Sequence, residues 1–358
     1  MKILYVITGL GGGGAEKVVS NLADEMFLRG HQVKIAYLKG KEIIVRPNYS
    51  SIELIYLGFE SPVNFIHASI KYRKLIKEFQ PDVIHSHMVH ANIFSRLNRL
   101  GCFIPKLICT AHNANEGGRL RMFAYQITDF LSDINTNVSI EATDCFINMK
   151  AFNKNAITIY NGINLNKFTF YDKYKQNNLS NKNCIKLLAV GRLTPQKDYF
   201  NLLNALSILK KITQKKFKVY IVGDGEQQNI IKDLIKNYSL DNDVELVGRR
   251  DDIPKLMQEA DIFVLSSAYE GFGLVIAEAM ACGTFVVATD CGGVKEVMGG
   301  NGLLVPPKNS QILAEALNKA MIMPLEKLRL NSSNGLNHVR TNFDLQLIVN
   351  KWMELYEH

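Results

Sequence analysis

Hydrophobic residues occur in short runs along the chain, separated by longer segments whose apolar positions recur at helical spacing. The first run, Lys2–Thr8, predicts a buried strand, and His31–Leu38 predicts the strand that follows it. Between them, Ala15–Arg29 has one apolar face and ends at Gly30, which is typical of an amphipathic helix. The same alternation resumes at Ile185–Val190. The pattern predicts parallel sheets joined by crossover helices, the arrangement of an α/β protein.

Chain length and one polar segment indicate how the chain is divided into domains. A chain of 358 residues is too long for one compact core and fits two domains. Residues Tyr171–Asn183 are polar and lack periodicity, so they are the best candidate for a linker. We therefore predict two Rossmann-like domains, at residues 1–172 and 184–340, followed by a C-terminal helix at residues 341–358.

A crossover unit in the second half of the chain carries two carboxylates. Asp261–Leu265 predicts a short strand, and Leu274–Ala281 predicts a helix that begins just after Gly273. A helix N-terminus has unpaired N–H groups and the positive end of the helix dipole, so it suits a phosphate. Glu270, on the loop, could face a sugar, and Glu278, inside the helix, could accept hydrogen bonds from a ribose. An ordinary crossover unit without a ligand would also explain this spacing.

The stretch from Glu270 to Val297, EGFGLVIAEAMACGTFVVATDCGGVKEV, resembles the signature of retaining glycosyltransferases of family 4, which have the GT-B architecture. The positions that match the family pattern are Glu270, Gly271, Phe272, Gly273, Leu274, Glu278, Ala279, Met280, Ala281 and Gly283. The resemblance implies two Rossmann-like domains facing across a cleft, with the helix at residues 341–358 crossing back to the N-terminal domain. It also implies that the C-terminal domain binds a nucleotide sugar and the N-terminal domain an acceptor.

Other segments match the same family residue by residue. Gly13 and Gly14 belong to a G-G-A-E loop, which in the family approaches the donor phosphate and the acceptor. His112 follows a predicted strand and matches a histidine that the family places beside the donor sugar. Arg192 and Lys197 match the cations that are taken to clamp the donor diphosphate. The resemblance therefore implies that all five residues contact the donor.

Two more positions follow predicted strands of the second domain. Gly223 lies in a glycine turn, and Arg249 lies where the family holds the nucleobase and could pack on it. Asn164 replaces the aspartate of the family's N-G-V/I-D motif, at a position that we interpret as structural. The predicted catalytic residues are His112, Glu270, Arg192 and Lys197. The predicted donor-binding residues are Gly13, Gly14, Arg192, Lys197, Gly223, Arg249, Glu270, Gly271, Phe272, Gly273, Leu274 and Glu278.

A departing nucleoside diphosphate gains negative charge, and fixed cations stabilise that charge most in the transition state. The resemblance thus implies transfer of a hexose or N-acetylhexosamine, with retention, from a nucleotide sugar to a glycan or lipid-linked oligosaccharide. A UDP-sugar is favoured as the donor, and bacterial O-antigen or capsule synthesis as the setting. Because no Asp-x-Asp metal motif occurs among the positions that match the family, we expect no essential metal and no cofactor besides the nucleotide sugar.

Two local patterns allow other ligands. Gly9, Gly11 and Gly14 satisfy the G-x-G-x-x-G pattern of dinucleotide-binding folds. That fold expects an acidic residue near the end of the second strand, where this chain has Lys39 and Lys41. A second pattern, His85, His87 and His90, could suggest a metal site, but no neighbouring cysteine completes a ligand set. We interpret these three residues as loop histidines near an acceptor cleft.

Charge and composition limit the classes of binding partner that we expect. The net charge of +8 favours an acidic partner, but no Lys/Arg stripe alternates with aromatics, so nucleic acid is not expected. The helix predicted at Phe65–Phe79 has a basic face made of Lys71, Arg73, Lys74 and Lys77. This face is either an ordinary solvated surface or a contact with anionic lipid headgroups. The six cysteines form no C-x-x-C pair, which favours the reducing cytoplasm. If the basic face contacts lipid, we expect the protein at the cytoplasmic face of the inner membrane.

Three other functions remain open from the sequence. Glu270 and Glu278 could serve as the acid and nucleophile of a glycoside hydrolase, although such an enzyme has no use for Arg192 and Lys197. A sugar-nucleotide epimerase can share the GT-B architecture and would act without an acceptor. A non-catalytic subunit would bind the nucleotide sugar and transfer nothing. Assays of product and of acceptor dependence separate these alternatives from a transferase.

Overall fold

The computed structural model describes residues 1–40, 42–114, 116–175 and 182–358. These residues form two compact units: the first contains Met1–Gly162 and Gln346–His358, and the second contains Ile163–Leu345. Each unit is built on a parallel sheet with helices between its strands, which confirms the prediction of two Rossmann-like α/β domains. Lys41, which entered the dinucleotide argument, and residues 176–181 of the predicted linker lie outside the described residues.

The elements of the first unit, in chain order up to its last strand, are β1 (Lys2–Ile7), α1 (Gly14–Leu28), β2 (Gln32–Tyr37), β3 (Glu53–Tyr56), α2 (Phe65–Phe79), β4 (Val83–His87), α3 (Val89–Arg99), β5 (Leu107–Ala111), α4 (Arg119–Thr128), β6 (Ile134–Asn137), α5 (Ile140–Asn148) and β7 (Ile157–Thr158). Within the described residues the strands form a sheet in the order β3-β2-β1-β4-β5-β6-β7, and every neighbouring pair is parallel. β1 and β4 are adjacent in register, with Ile3 opposite Val83. Both strands are buried on both faces, which explains the nearly continuous apolar sequence of β1, whereas β4 buries the polar residues His85, Ser86 and His87.

The elements of the second unit are β8 (Cys184–Val190), α6 (Tyr199–Ile212), β9 (Lys216–Val222), α7 (Gln228–Asn237), β10 (Val244–Gly248), α8 (Ile253–Glu259), β11 (Ile262–Leu265), α9 (Leu274–Ala281), β12 (Phe285–Thr289), α10 (Val294–Met298), β13 (Leu303–Val305), α11 (Ser310–Met321) and α12 (Leu325–Phe343). The described strands form a parallel sheet in the order β10-β9-β8-β11-β12-β13. Buried Leu187, Val219 and Ile262 belong to one core that lies against this sheet.

The domain boundaries differ from the predicted ones by about ten residues at one end. Residues 163–172 were predicted in the first domain, but the structure groups them with the second unit. The reason is backbone pairing, because the N–H of Ile163 donates to the carbonyl of Phe343 (2.7 Å) and that of Tyr171 to Cys282 (3.3 Å). The last helix, α13 (Leu345–Glu357), begins later than residue 341, since Asp344 adopts an extended ψ of 131° that ends α12.

From Gln346 onward α13 belongs to the first unit, where it packs on the central strands. The hydroxyl of Tyr356 lies 2.7 Å from Nδ1 of His85 on β4 and 3.2 Å from the hydroxyl of Tyr5 on β1. The ring of Trp352 packs on His85 with a centroid distance of 4.4 Å. Among the described residues, none of the helices combines the length and the apolar character needed to cross a bilayer.

In each sheet the strands that follow the first strand are added on one side of it, and the later strands are added on its other side. The reversal lies between β1 and β4 in the first unit and between β8 and β11 in the second. In open parallel sheets, ligands bind outside the carboxyl ends of the strands at such a reversal. The loops that follow these four strands are therefore where a site is expected in each unit.

Candidate functional site

In the second unit, the loops after β8 and β11 bring two predicted residues into direct contact. Nζ of Lys197 lies 2.5 Å from Oε1 of Glu270, and the hydroxyl of Ser267 donates to the same oxygen at 2.6 Å. The side chain of Lys197 is 15% exposed and that of Glu270 is 9% exposed. The residue predicted to hold the diphosphate and the residue predicted to hold the sugar thus form a nearly buried ion pair.

Backbone and hydroxyl contacts hold the two loops against each other. The hydroxyl of Ser266 donates to the carbonyl of Lys197 (2.9 Å), and the N–H of Ala268 donates to the carbonyl of Gln196 (2.9 Å). Gly191 allows the stem of Lys197 to lie against the main chain, because a Cβ there would come within 3.0 to 3.3 Å of its side-chain carbons. The position of the ammonium group is therefore fixed by local packing.

The helix that follows this loop, α9, begins at Gly273, which adopts a left-handed conformation with φ of +85°. Glu278, on α9, is 4% exposed, while Leu274 is half-buried. Gly271 lies in the same loop and its carbonyl accepts the N–H of Gly293 (3.2 Å). Phe272 is 3% exposed, and its ring packs edge-on against Phe343, so at least part of its role is to anchor the loop in the core.

A network of loops after β8, β9 and β10 holds the remaining predicted residues of this unit. The N–H of Leu193 donates to the carbonyl of Asp224 (2.7 Å), and the carboxylate of Asp224 pairs with Nε of Arg249 (2.6 Å). A Cβ on Gly223 would lie 2.0 Å from the carbonyl oxygen of Gly191, which explains the glycine at that turn. Arg249 is thus engaged with Asp224, whereas Arg192 is exposed on the loop that leads to Lys197.

The first unit contains the predicted residues Gly13, Gly14 and His112. Gly13 caps α1 and Gly14 is its first residue. A Cβ on Gly13 would lie 2.5 Å from the carboxylate of Glu16, so this part of the G-G-A-E loop packs closely on its own glutamate. His112 follows β5 and is 9% exposed, and its backbone N–H donates to Oε1 of Glu116 (2.8 Å).

The histidines that we interpreted as loop residues have a different environment. His85 and His87 are fully buried on the central strand β4, and His90 lies in α3, so the loop interpretation was wrong. A parallel strand covered on both faces leaves these side chains no access to bulk solvent. Burial lowers the pKa of His112 to about 4 and that of His87 well below its usual value, so both rings are neutral. In the described ranges, no three His, Cys, Asp or Glu side chains form a group that could hold a metal ion.

Several residues that support these two regions were not predicted from the sequence. Ser267 hydrogen-bonds Glu270, and Gly292 lies so close to it that a Cβ would meet the carbonyl of Glu270 at 1.8 Å. In the first unit, Glu116 accepts hydrogen bonds from His112 and from the hydroxyl of Tyr125 (2.6 Å). Burial raises the pKa of Glu116 to about 7. Ser267 and Gly292 flank or fall within the stretch that resembles the family, but no pattern in the sequence marks Glu116.

Two family models match the chain. The family model described as "Glycosyl transferases group 1" matches residues 170–335, and the one described as "Glycosyltransferase Family 4" matches residues 12–167. The two matches together cover most of the chain. The chain belongs to the family 4 glycosyltransferases of the GT-B type.

Relatives of this glycosyltransferase align over its full length. The amylovoran biosynthesis glycosyltransferase AmsD of Erwinia amylovora is 25% identical over 375 residues, which cover 99% of each chain. The GalNAc-alpha-(1->4)-GalNAc-alpha-(1->3)-diNAcBac-PP-undecaprenol alpha-1,4-N-acetyl-D-galactosaminyltransferase of Campylobacter jejuni is 25% identical over 372 residues, covering 99% of this chain and 98% of that one. The crystal structure of Anabaena HepE in complex with UDP and glucose has a TM-score of 0.82 at 23% identity, covering 100% and 99% of the two chains. This last likeness shows a shared fold.

Proposed function

We propose that this glycosyltransferase is a retaining, metal-independent hexosyltransferase that takes its sugar from a UDP-sugar. The observation that carries the proposal is the Lys197–Glu270 ion pair at the carboxyl ends of β8 and β11. A nearly buried cation and anion at a sheet reversal offer one partner for a phosphate and one for sugar hydroxyls. UDP is favoured because HepE was crystallised with UDP and glucose.

The proposed chemistry depends on charge that appears as the donor breaks. When the bond between the anomeric carbon and the phosphate oxygen breaks, the departing UDP gains negative charge. Lys197 and the exposed Arg192 lie on one loop and would stabilise that charge, together with the N-terminus of α9 at Gly273. In this proposal Glu270 turns to the sugar hydroxyls while Lys197 turns to the phosphate, so donor binding separates the ion pair.

Retention follows from which face of the sugar the acceptor attacks. The acceptor oxygen forms its bond on the face that the phosphate leaves, and its proton passes to an oxygen of the departing phosphate. No protein side chain then has to act as general base. Glu278, nearly buried in α9, is proposed to bind the ribose, and Arg249 to pack on the base after it separates from Asp224. His112, Gly13 and Gly14 keep the donor contacts predicted from the family.

The acceptor class comes from the relatives. AmsD is named for amylovoran biosynthesis, and the Campylobacter enzyme is named for an undecaprenyl-diphosphate-linked glycan. We infer a glycan or lipid-linked oligosaccharide acceptor, in the synthesis of a bacterial surface polysaccharide such as O-antigen or capsule. The family assignment disfavours the hydrolase, and an epimerase or a silent subunit would form no acceptor-dependent product.

A lipid-linked acceptor would place the enzyme at the cytoplasmic face of the inner membrane. On α2, Ile66 and Ile70 are 73% and 63% exposed, and they share the helix with the basic residues Lys71, Lys74 and Lys77. Exposed apolar and basic side chains on one helix suit an anionic bilayer surface. Co-sedimentation with anionic vesicles tests this contact, and equal recovery with neutral vesicles would argue against it.

Thermal shift against a panel of UDP- and GDP-sugars tests the donor. A ligand present at about 100 times its Kd stabilises the folded state by about 2.7 kcal/mol. The UDP compounds should raise the melting temperature of the wild type and of the control R329M, whose arginine lies on α12. R192M should keep the unliganded melting temperature, because Arg192 is exposed, but lose most of the UDP shift. Stabilisation by GDP-sugars alone would contradict the UDP assignment.

Transfer is then followed with the donor that binds. The product should carry the anomeric configuration of the donor sugar, which NMR of the glycoside reads directly. The rate should be unchanged by EDTA. An inverted product, or a rate abolished by the chelator and restored by Mg²⁺ or Mn²⁺, would refute the corresponding part of the proposal.

A further inference from the structure

The buried histidines of the first unit form a hydrogen-bonded pair that the proposed chemistry does not yet use. Nδ1 of His87, at the end of β4, lies 3.1 Å from Nε2 of His112, just after the neighbouring strand β5. Their ring centroids are 5.3 Å apart. The parallel register of β4 and β5, in which His87 lies opposite Thr110, brings the two rings together.

Both rings are neutral, so a single proton lies between them. Desolvation lowers the pKa of each histidine far enough that neither is charged at neutral pH. A neutral imidazole has one N–H and one unprotonated nitrogen. Either His87 donates from Nδ1 to Nε2 of His112, or His112 donates from Nε2 to Nδ1 of His87. The two alternatives assign opposite tautomers to both residues.

The other nitrogen of His87 distinguishes the alternatives. Nε2 of His87 is buried and has no hydrogen-bond partner among the residues that the structure describes. If His112 were the donor, that nitrogen would carry a buried N–H with no acceptor, which is rare in folded proteins. If His87 is the donor, the same nitrogen is unprotonated, and an unused acceptor is left in place of an unpaired buried N–H. The second arrangement is the less costly one.

We propose that His87 is a positioning residue that holds His112 as its Nδ1–H tautomer. His112 then presents an N–H donor, rather than a lone pair, from the ring nitrogen that His87 does not occupy. Such a donor suits an oxygen atom of the bound sugar or its phosphate. The inference deepens the proposed function and rests on it where it assigns His112 to the donor substrate.

A second contact fixes the backbone of the same residue. Oε1 of Glu116 accepts the backbone N–H of His112 at 2.8 Å, and Oε2 accepts the hydroxyl of Tyr125 at 2.6 Å. Nδ2 of Asn92 in turn donates to that hydroxyl at 2.9 Å. His112 is thus held by its main chain through Glu116 and by its ring through His87. Among the described residues, the hydrogen bond that can set the tautomer of the ring is the one with His87.

The tautomer is measured on the whole protein without substrate. Long-range proton–nitrogen correlation spectra of protein labelled with ¹⁵N-histidine separate protonated from unprotonated ring nitrogens, and H112N identifies the His112 signals by their loss. The wild type should show protonated Nδ1 and unprotonated Nε2 at His112. H87L should move His112 towards the Nε2–H form, which free imidazole side chains prefer.

Two further variants serve as controls. H85L makes the same substitution two residues away on β4, where the ring bonds Tyr356 and Thr110 instead of His112. It should leave the tautomer of His112 unchanged. H87N places an amide N–H near the position of Nδ1 and should keep the Nδ1–H form. In the transfer assay H87L should lower kcat by about tenfold, the effect of about one hydrogen bond, with little change in KM for the donor.

The outcomes separate this inference from the proposed function. Wild-type His112 with a protonated Nε2, or a tautomer that does not respond to H87L, would overturn the inference even if transfer occurs. If H87L does not fold, the wild-type spectrum and H87N still decide it. Failure to transfer any sugar would refute the proposed function and leave the tautomer result standing.

Discussion

Removal of the cation from the Lys197–Glu270 pair should destabilise the second unit strongly. K197M keeps most of the apolar stem but leaves the carboxylate of Glu270, 9% exposed, without its ammonium partner. Breaking a buried ion pair by removing one partner costs about 3–5 kcal/mol. Because the pair retains some exposure, we expect the lower end, about 3 kcal/mol. For a domain of this size each kcal/mol lowers the melting temperature by about 2–4 °C, so the expected loss is about 6–12 °C.

Removing both charges should cost less than the two single changes combined. In K197M/E270Q no unpaired charge remains buried, and the amide can still accept the hydroxyl of Ser267. Residues in direct contact show interaction energies of about 0.5–3 kcal/mol in double-mutant cycles. We expect a value near the top of that range, measured by chemical unfolding of the wild type, the two single variants and the double variant.

An exposed ion pair in the same unit is the matched control. Nζ of Lys210 lies 2.7 Å from the carboxylate of Asp243, but its side chain is 47% exposed. Exposed pairs contribute about 0–1 kcal/mol, so K210M should lower stability by no more than that. UDP should then stabilise K210M as it does the wild type, and K197M much less. Equal destabilisation by K197M and K210M would refute the argument from burial.

Two further changes test the supporting structure. Burial raises the pKa of Glu116 from 4.5 to about 7. Between these pH values the folded chain keeps a proton that the unfolded chain releases. The free energy of unfolding of the wild type should therefore fall as pH rises through this window. E116Q lacks this titration, so between pH 4.5 and pH 8 the wild type should lose on the order of 3 kcal/mol of unfolding free energy relative to E116Q. A difference in melting temperature between the two proteins that stays constant with pH would contradict this. G223A puts a Cβ 2.0 Å from the carbonyl oxygen of Gly191 at a φ of +140°, and should cost about 3 kcal/mol or more. G11A, at a position with open space, should change the unfolding free energy by less than about 0.5 kcal/mol, and similar losses in both would contradict the packing argument.

The fold could be predicted from the sequence because buried parallel strands appear as runs of apolar residues. β1 and β12 are buried on both faces, and their sequences are nearly continuous in apolar residues. Gly30 predicted the end of α1 because a left-handed residue is needed there, and its φ is +84°. The boundary near residue 163 was not accessible, since it depends on the backbone pairing of Ile163 with Phe343 and Leu345, far away in sequence.

The residues of the candidate site could be predicted from the sequence one by one, but their contacts with each other could not. Lys197 and Glu270 were each predicted from the family, but their pairing depends on β8 lying beside β11, which the order of strands along the chain does not state. Glu116 was missed because a carboxylate in a polar loop is ordinarily solvated. Its burial results from α4, which brings the hydroxyl of Tyr125 to it. A single sequence contains no local signal for such contacts.

One physical rule applies to both units and indicates where such contacts between polar side chains occur. A strand covered on both faces cannot hold an unpaired polar side chain without a large desolvation cost, so polar residues collect where strands end and must find partners there. At the reversal beside β8 these partners are Lys197 and Glu270, and beside β4 they are His87 and His112. In each unit the partner comes from the neighbouring strand in the sheet. For β8 that neighbour is β11, three strands later in the chain, and for β4 it is β5, the next strand in the chain. Strand order, once known, therefore tells which polar residues must be tested together, and the double-mutant cycle and the tautomer measurement each test one such pair.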